Sequence, residues 1–201
     1  TLNNVRESLH IASGRGKDRL LFQEQDKVAE LLNYPDADAM MSDVARAARS
    51  VDYLLNYTWH SLEHKSRDGF GRLSKKARTT SVAKNVSASN REILIDPLVS
   101  LDEDPVVGLR AAATAAQLGL PLSLDSFTSL AEKLKKGEGV LTNPWPREAR
   151  ELLIALIGAG ESMVDIFETL DQEEIIFQWI PEWMSVRSLP QRNALHRHTV
   201  D

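Results

Sequence analysis

The chain of 201 residues contains no cysteine, which excludes disulfides, thiolate metal sites and a cysteine nucleophile from it. It has no surplus of positive charge: the formal net charge is −5, so neither nucleic acid nor an anionic membrane is expected as its partner. No run approaches eighteen consecutive apolar residues and no apolar h-region opens the chain. Neither a membrane span nor a signal peptide is predicted, and the location expected is cytoplasmic. What is present is ordinary for a soluble globular chain, with 42% hydrophobic and 26% charged residues. That length and composition suffice for one sizeable domain or two small ones.

Apolar residues recur at helical spacing almost throughout. Val5, Leu9 and Ala12 line a first helix that Gly14 can end by taking a left-handed conformation. Leu21, Val28, Leu31 and Leu32 line a second, and Met40, Val44, Ala47, Ala48, Val51, Leu54 and Leu55 form one stripe on a long third. From His60 to Glu92 there are eight Lys or Arg against three Asp or Glu, with little periodicity. Residues 64–91 therefore read as a basic, flexible, solvated linker. Glu92 to Ile95 is the one strand candidate, half of a small hairpin. Beyond it Asp104 is placed to cap a helix with Pro105 in its first turn and Gly119 at its end. Phe127, Leu130, Ala131 and Leu134 mark the next helix, and Ala149, Leu152, Leu153, Leu156 and Ile157 the one after. Asp171 and Glu174 have the spacing of a capping box. The fold class expected is mostly α: a helical cluster over 1–63, the linker, a second cluster over 92–180, and a lead-in segment over 181–201.

Candidate chemistry is sparse. Asp36 and Asp38 have the look of paired Mg²⁺ carboxylates, but no Gly-Ser pair accompanies them anywhere in the chain, and acidic residues opening a helix explain them fully. Gly14 to Asp18 (GRGKD) fails as a Walker loop, because no glycine stands five positions before Gly16 and Asp18 replaces the required Ser or Thr. It reads as a basic turn between helices, from which Arg15 and Lys17 can reach a phosphate. Leu101 to Asp104 is assigned to capping, and Trp145, Trp179 and Trp183 to the core. His196 and His198 are two residues apart and cannot chelate together from a helix. His60 and His64 have metal-compatible i, i+4 spacing but lack the glutamate of an HExxH motif. No catalytic set and no metal site are therefore assigned.

Residues Leu9 to Tyr34, with Leu9-His10, Gly14-Arg15, DRLLF (Asp18 to Phe22), Gln25 and VAELLNY, resemble the helical segment that follows the nucleotidyltransferase domain in the PII uridylyltransferase family. These are the bifunctional uridylyltransferase/uridylyl-removing enzymes of bacterial nitrogen control. Met40 to Arg49 continues the likeness, Ile95 to Ser123 resembles the family's later linker block, and Ile180 to Asp201 resembles the approach to its HD domain. His64 to Arg91 matches poorly. With Thr1 not preceded by Met, the resemblance implies a helical piece of a longer enzyme.

Such an enzyme would attach a nucleotide monophosphate, UMP or AMP, to a tyrosine of a PII signal protein from a nucleoside triphosphate. It would use Mg²⁺ in a transferase domain and a second divalent metal in an HD domain for removal. Neither metal nor any catalytic residue is carried onto this chain. The role implied for it is a connector that orients the transferase and HD domains, itself inactive, with Arg15, Lys17 and Arg19 near the nucleotide. The alternatives are an autonomous helical interaction module and a truncated HD-type metal phosphohydrolase.

Overall fold

A computed structural model describes residues 1–68, 79–191 and Thr199. Among the described residues it contains eight α-helices and a three-stranded antiparallel sheet, so the mostly helical expectation holds. None of the described helices is long and apolar enough to cross a membrane. The chain divides into two compact units, Thr1–Tyr57 with Glu182–Asp201, and Thr58–Pro181.

The first unit is built on α1 (Leu2–Ser13), α2 (Phe22–Leu31) and the beginning of α3 (Ala37–Asp68). Gly14 ends α1 at φ 64, the left-handed conformation that costs glycine little. Val5, Leu9, Val28, Ala29, Ala37 and Met40 form the core, with Leu20, Leu32, Tyr34 and Val44 packed against it. Of the expected α2 stripe, Val28 is buried and Leu32 half-buried, whereas Leu21 and Leu31 are exposed; Ala29 is buried instead, on the face of α2 that Gln25 and Val28 share. Lys27 on α2 donates to the Ala12 carbonyl (3.1 Å), satisfying one of the acceptors that the end of α1 leaves free. Tyr34 Oη donates to Asp43 Oδ2 (2.9 Å). Asp36 Oδ1 accepts the Ala39 amide (2.7 Å), so Asp36 serves the start of α3 as an N-cap. Of the long stripe on α3, Met40 is buried and Val44 half-buried, whereas Val51, Leu54 and Leu55 are exposed.

The second unit is organised around α4 (Val107–Leu118). Val107, Leu109, Ala111, Ala112, Ala113, Ala115 and Ala116 are all buried, as a helix apolar on every side must be. Against it pack α6 (Arg147–Ile157), α7 (Ser162–Gln172) and the sheet. At Gly108 an added Cβ would lie 2.8 Å from Leu130 and 2.9 Å from the Trp179 ring, so the missing side chain is what lets those two approach the helix. Phe127, Leu130, Ala131 and Leu134 of α5 (Leu124–Lys135) are all buried as their spacing predicts. On α6 Ile157 is exposed instead of buried. Trp179, at the end of the short α8 (Ile176–Trp179), is in the core, whereas Trp145 and Trp183 are half-buried. Asp171 lies buried inside α7 and Glu174 follows its end at φ 61, so this pair closes a helix rather than opening one.

The region read as linker has defined structure on both sides of residues 69–78, which lie outside the described part. It is helical to Asp68, and β1 (Thr80–Ala83) and β2 (Val86–Ser89) precede β3 (Glu92–Ile95) in one meander. The β1–β2 turn places Asn85 at φ 57, and the β2–β3 turn places Asn90 and Arg91 at φ 51 and 62, the positive pair of a type I′ hairpin. Beyond β3, Ile93 donates to the Pro121 carbonyl and Ser123 donates to the Ile93 carbonyl, both at 2.9 Å. Residues 80–91 thus belong with the second cluster, since β1 pairs with β2 and β2 with β3.

Asp104 does not cap α4 with its side chain. Its carbonyl accepts the Val107 amide (3.2 Å), while its carboxylate meets Arg110 in a buried two-pronged pair at 2.8 and 3.1 Å. Asn85 donates to Asp104 Oδ2 (2.8 Å), Arg110 Nη1 donates to the Lys84 carbonyl (3.2 Å), and Arg110 Nε donates to Glu148 (3.0 Å). One guanidinium thereby ties α4, α6 and the first hairpin turn together. Burial pushes the Asp104 carboxyl up, but the hydrogen bonds from Arg110 and Asn85 outweigh it and hold it below its ordinary 3.8.

Candidate functional site

The segment between α1 and α2, residues 14–21, has neither helix nor strand bonding, yet its side chains sort by parity. Arg15, Lys17, Arg19 and Leu21 line one pocket of about 430 Å³, together with Leu9 and Ser13 of α1 and Glu24 of α2. The even positions face elsewhere: Asp18 meets α1, and Leu20 packs on the core. This is the behaviour of an extended chain, whose successive side chains leave on opposite sides. Sequence reasoning marked the three cations and missed the alternation that brings them together, although R-x-K-x-R-x-L is itself a period-two pattern.

Both ends of the segment are fixed. Ser13 Oγ donates to the Leu9 carbonyl (2.7 Å) and accepts the Arg15 amide (3.3 Å), setting the chain's exit from α1. At the far end Glu24 Oε2 accepts the Leu21 amide (3.1 Å), and the Glu24 amide donates to the Leu21 carbonyl (2.9 Å). In the middle Asp18 Oδ1 accepts from Arg6 Nε (3.0 Å) and lies 2.9 Å from His10 Nε2. The hydrogen bond with His10, reinforced by Arg6, holds the Asp18 carboxyl below its ordinary 3.8. Arg19 therefore does not neutralise Asp18, the pairing that its sequence position suggests. Among the described residues neither Arg15, Lys17 nor Arg19 carries an ion pair.

Three cations without ion pairs in the segment that leads into α2 form an environment suited to a phosphate-bearing anion. The pocket volume is within the range of small-molecule sites. Its one acidic group is Glu24, held by the Leu21 amide. The other sequence candidates are not brought together. The carboxylate of Asp36 is engaged as a cap, and among the described residues no three of His, Asp and Glu gather as a metal site requires. The side chains of His60 and His64, and all of His196 and His198, lie outside the described residues.

Comparison with known proteins bears on this pocket. Residues 1–59, which contain all of it, match the family described as GlnD PII-uridylyltransferase. The whole chain is 39% identical to a bifunctional uridylyltransferase/uridylyl-removing enzyme of Streptomyces coelicolor, covering 25% of that protein. It is 31% identical over its full length to the protein of the same description from Mycobacterium tuberculosis, covering 24% of it. For that of Corynebacterium glutamicum the figures are 26% and 28%. The chain thus spans about a quarter of the length of the curated relatives it matches. No solved structure matches it.

Proposed function

This chain belongs to the PII-uridylyltransferase family, and from that premise we propose that it serves as the helical framework of a nucleotidyltransferase acting on a PII-type signal protein. In such an enzyme a protein hydroxyl displaces pyrophosphate from the α-phosphorus of a nucleoside triphosphate, uridine or adenosine, and negative charge grows on the departing phosphates. Arg15, Lys17 and Arg19 are positioned along those phosphates, where fixed guanidinium and ammonium groups stabilise the developing charge. The divalent ions that the chemistry calls for are held by other parts of the whole protein. The two compact units serve to set transferase and HD domains relative to each other, and the pocket belongs to the first.

The observation that carries this reading is the convergence of the three cations in one pocket inside the family-matched residues. The test is nucleotide transfer to the PII-type protein by the full-length enzyme carrying Arg15→Ala or Arg19→Ala. The expected outcome is a nucleotide KM raised about tenfold, the equivalent of one charge-assisted hydrogen bond. Unchanged kcat and KM in both variants rejects the assignment.

A second reading, a helical module that binds the PII-type protein directly, is favoured by the exposed Val51, Leu54 and Leu55 on α3. Capture of that protein by the chain, lost on Leu54→Glu and Leu55→Glu together, distinguishes it from a framework alone.

A further inference from the structure

A carboxylate flanked by Lys17 and Arg19 should weaken anion binding if net charge alone decides the matter. The arrangement of Asp18 argues the reverse. It is the one residue of the free segment with side-chain bonds to a helix, accepting from Arg6 at 3.0 Å and pairing with His10 at 2.9 Å, both on α1. Because the side chains alternate there, holding residue 18 against Arg6 and His10 leaves residues 17 and 19 to line the pocket, which residue 18 does not. A slip of one residue would send the cations away from it.

We infer that this pocket takes a linear polyphosphate, with inorganic pyrophosphate its smallest member, and that Asp18 is the positioning residue that holds Arg15, Lys17 and Arg19 in register for it. The inference rests on the phosphate reading given under Proposed function and adds the ligand class and the positioning residue. Alternate residues of an extended chain stand about 6.5–7 Å apart, so the three cations are strung along a line and suit a chain of phosphates better than a single one. No aromatic residue lines the pocket, so it offers a base nothing to stack on and reads the phosphates alone. Glu24 lines it too, with its carboxylate taken up by the Leu21 amide. Without Asp18 the segment keeps its end fixings and the packing of Leu20, and ordering residues 15–19 around a ligand then costs conformational entropy at binding.

The test is calorimetric titration of the 201-residue chain with pyrophosphate and with orthophosphate at one ionic strength, alongside hydrogen exchange. Pyrophosphate is expected to bind about tenfold more tightly than orthophosphate, and Lys17→Ala to weaken it about tenfold, one charge-assisted bond in each case. Asp18→Ala, despite removing a negative charge, is expected to weaken pyrophosphate binding about fivefold, on the order of one hydrogen bond. It should also speed exchange at residues 15–20 while α1 and α2 keep their protection. Asp18→Asn, whose amide oxygen still accepts from Arg6, should recover part of the loss. Equal or tighter binding by Asp18→Ala overturns the positioning role and leaves the phosphate site standing. Equal affinity for the two anions overturns the ligand class. A wild-type chain that binds neither, or an indifferent Lys17→Ala, overturns the site and the reading beneath it. If Asp18→Ala also loses protection in α1 and α2, its fold has changed, and full affinity in Asp18→Asn together with altered exchange at 15–20 then refutes the role.

Discussion

Each unit contains an arginine–aspartate pair, and the two pairs do different work. Arg110 and Asp104 are 8% and 5% exposed and share their charges with Asn85 and Glu148. Arg6 and Asp18 are each 60% exposed. A buried pair cannot lose one member without stranding the other in a medium that solvates it poorly, so the first is a structural fixture of the second unit. An exposed pair contributes little to stability because water solvates either member alone. What the second can do is choose which way a short extended segment faces. Burial separates a pair that holds a fold from one that aims a surface.

The largest effect is expected from breaking the buried pair. Arg110→Met should destabilise the second unit by about 3–5 kcal/mol, the usual cost of leaving a buried carboxylate unpaired, read as lost hydrogen-exchange protection in α4. Gly108→Ala, which sets a methyl against Leu130 and Trp179, should cost about 1–3 kcal/mol by overpacking, measured by chemical unfolding.

Acid should act in the same place. The Asp104 carboxyl is lowered in the folded protein, so the unfolded chain takes up the proton first as pH falls below the ordinary 3.8. The stability it contributes is therefore complete above that value and is lost as pH drops through the folded one. Asp104→Asn should flatten the acid limb of a stability–pH profile, and a profile that Asp104→Asn leaves unchanged contradicts the assignment. At the small end, Asp18→Ala should scarcely move the thermal midpoint while changing ligand affinity. A large fall in that midpoint would erase the distinction between the two pairs.

Much of the fold is legible in the sequence. The period of 3.6 located the helices, and it placed Phe127, Leu130, Ala131 and Leu134 inside correctly. It misled at Leu21, Leu31, Val51, Leu54, Leu55 and Ile157, because an amphipathic pattern says which face is apolar and not whether anything covers it. The strands β1 and β2 escaped notice for a different reason. They are four residues each, made of Ser, Thr, Ala and Val, and present no hydrophobic alternation strong enough to compete with a basic, polar background. The asparagines at 85 and 90 were the signal available, since asparagine accepts positive φ more readily than most residues.

Asp104 shows a limit of another kind. Capping and ion pairing both want an aspartate ahead of a helix, and only the placement of Arg110 six positions on, facing back, decides between them. The basic segment was noticed for its composition, while its organisation lay in its parity. Charge counting found Arg15, Lys17 and Arg19, and the contacts of Asp18 and Leu20 show why they point one way.

The measurement that bears most directly on the central claim is an amide chemical-shift titration of the chain with pyrophosphate at constant ionic strength. Shifts concentrated at Arg15, Lys17, Arg19 and the first turn of α2, saturating together and absent in Lys17→Ala, are the predicted result. Shifts scattered over surface lysines and arginines of both units, or none at residues 15–24, would contradict it.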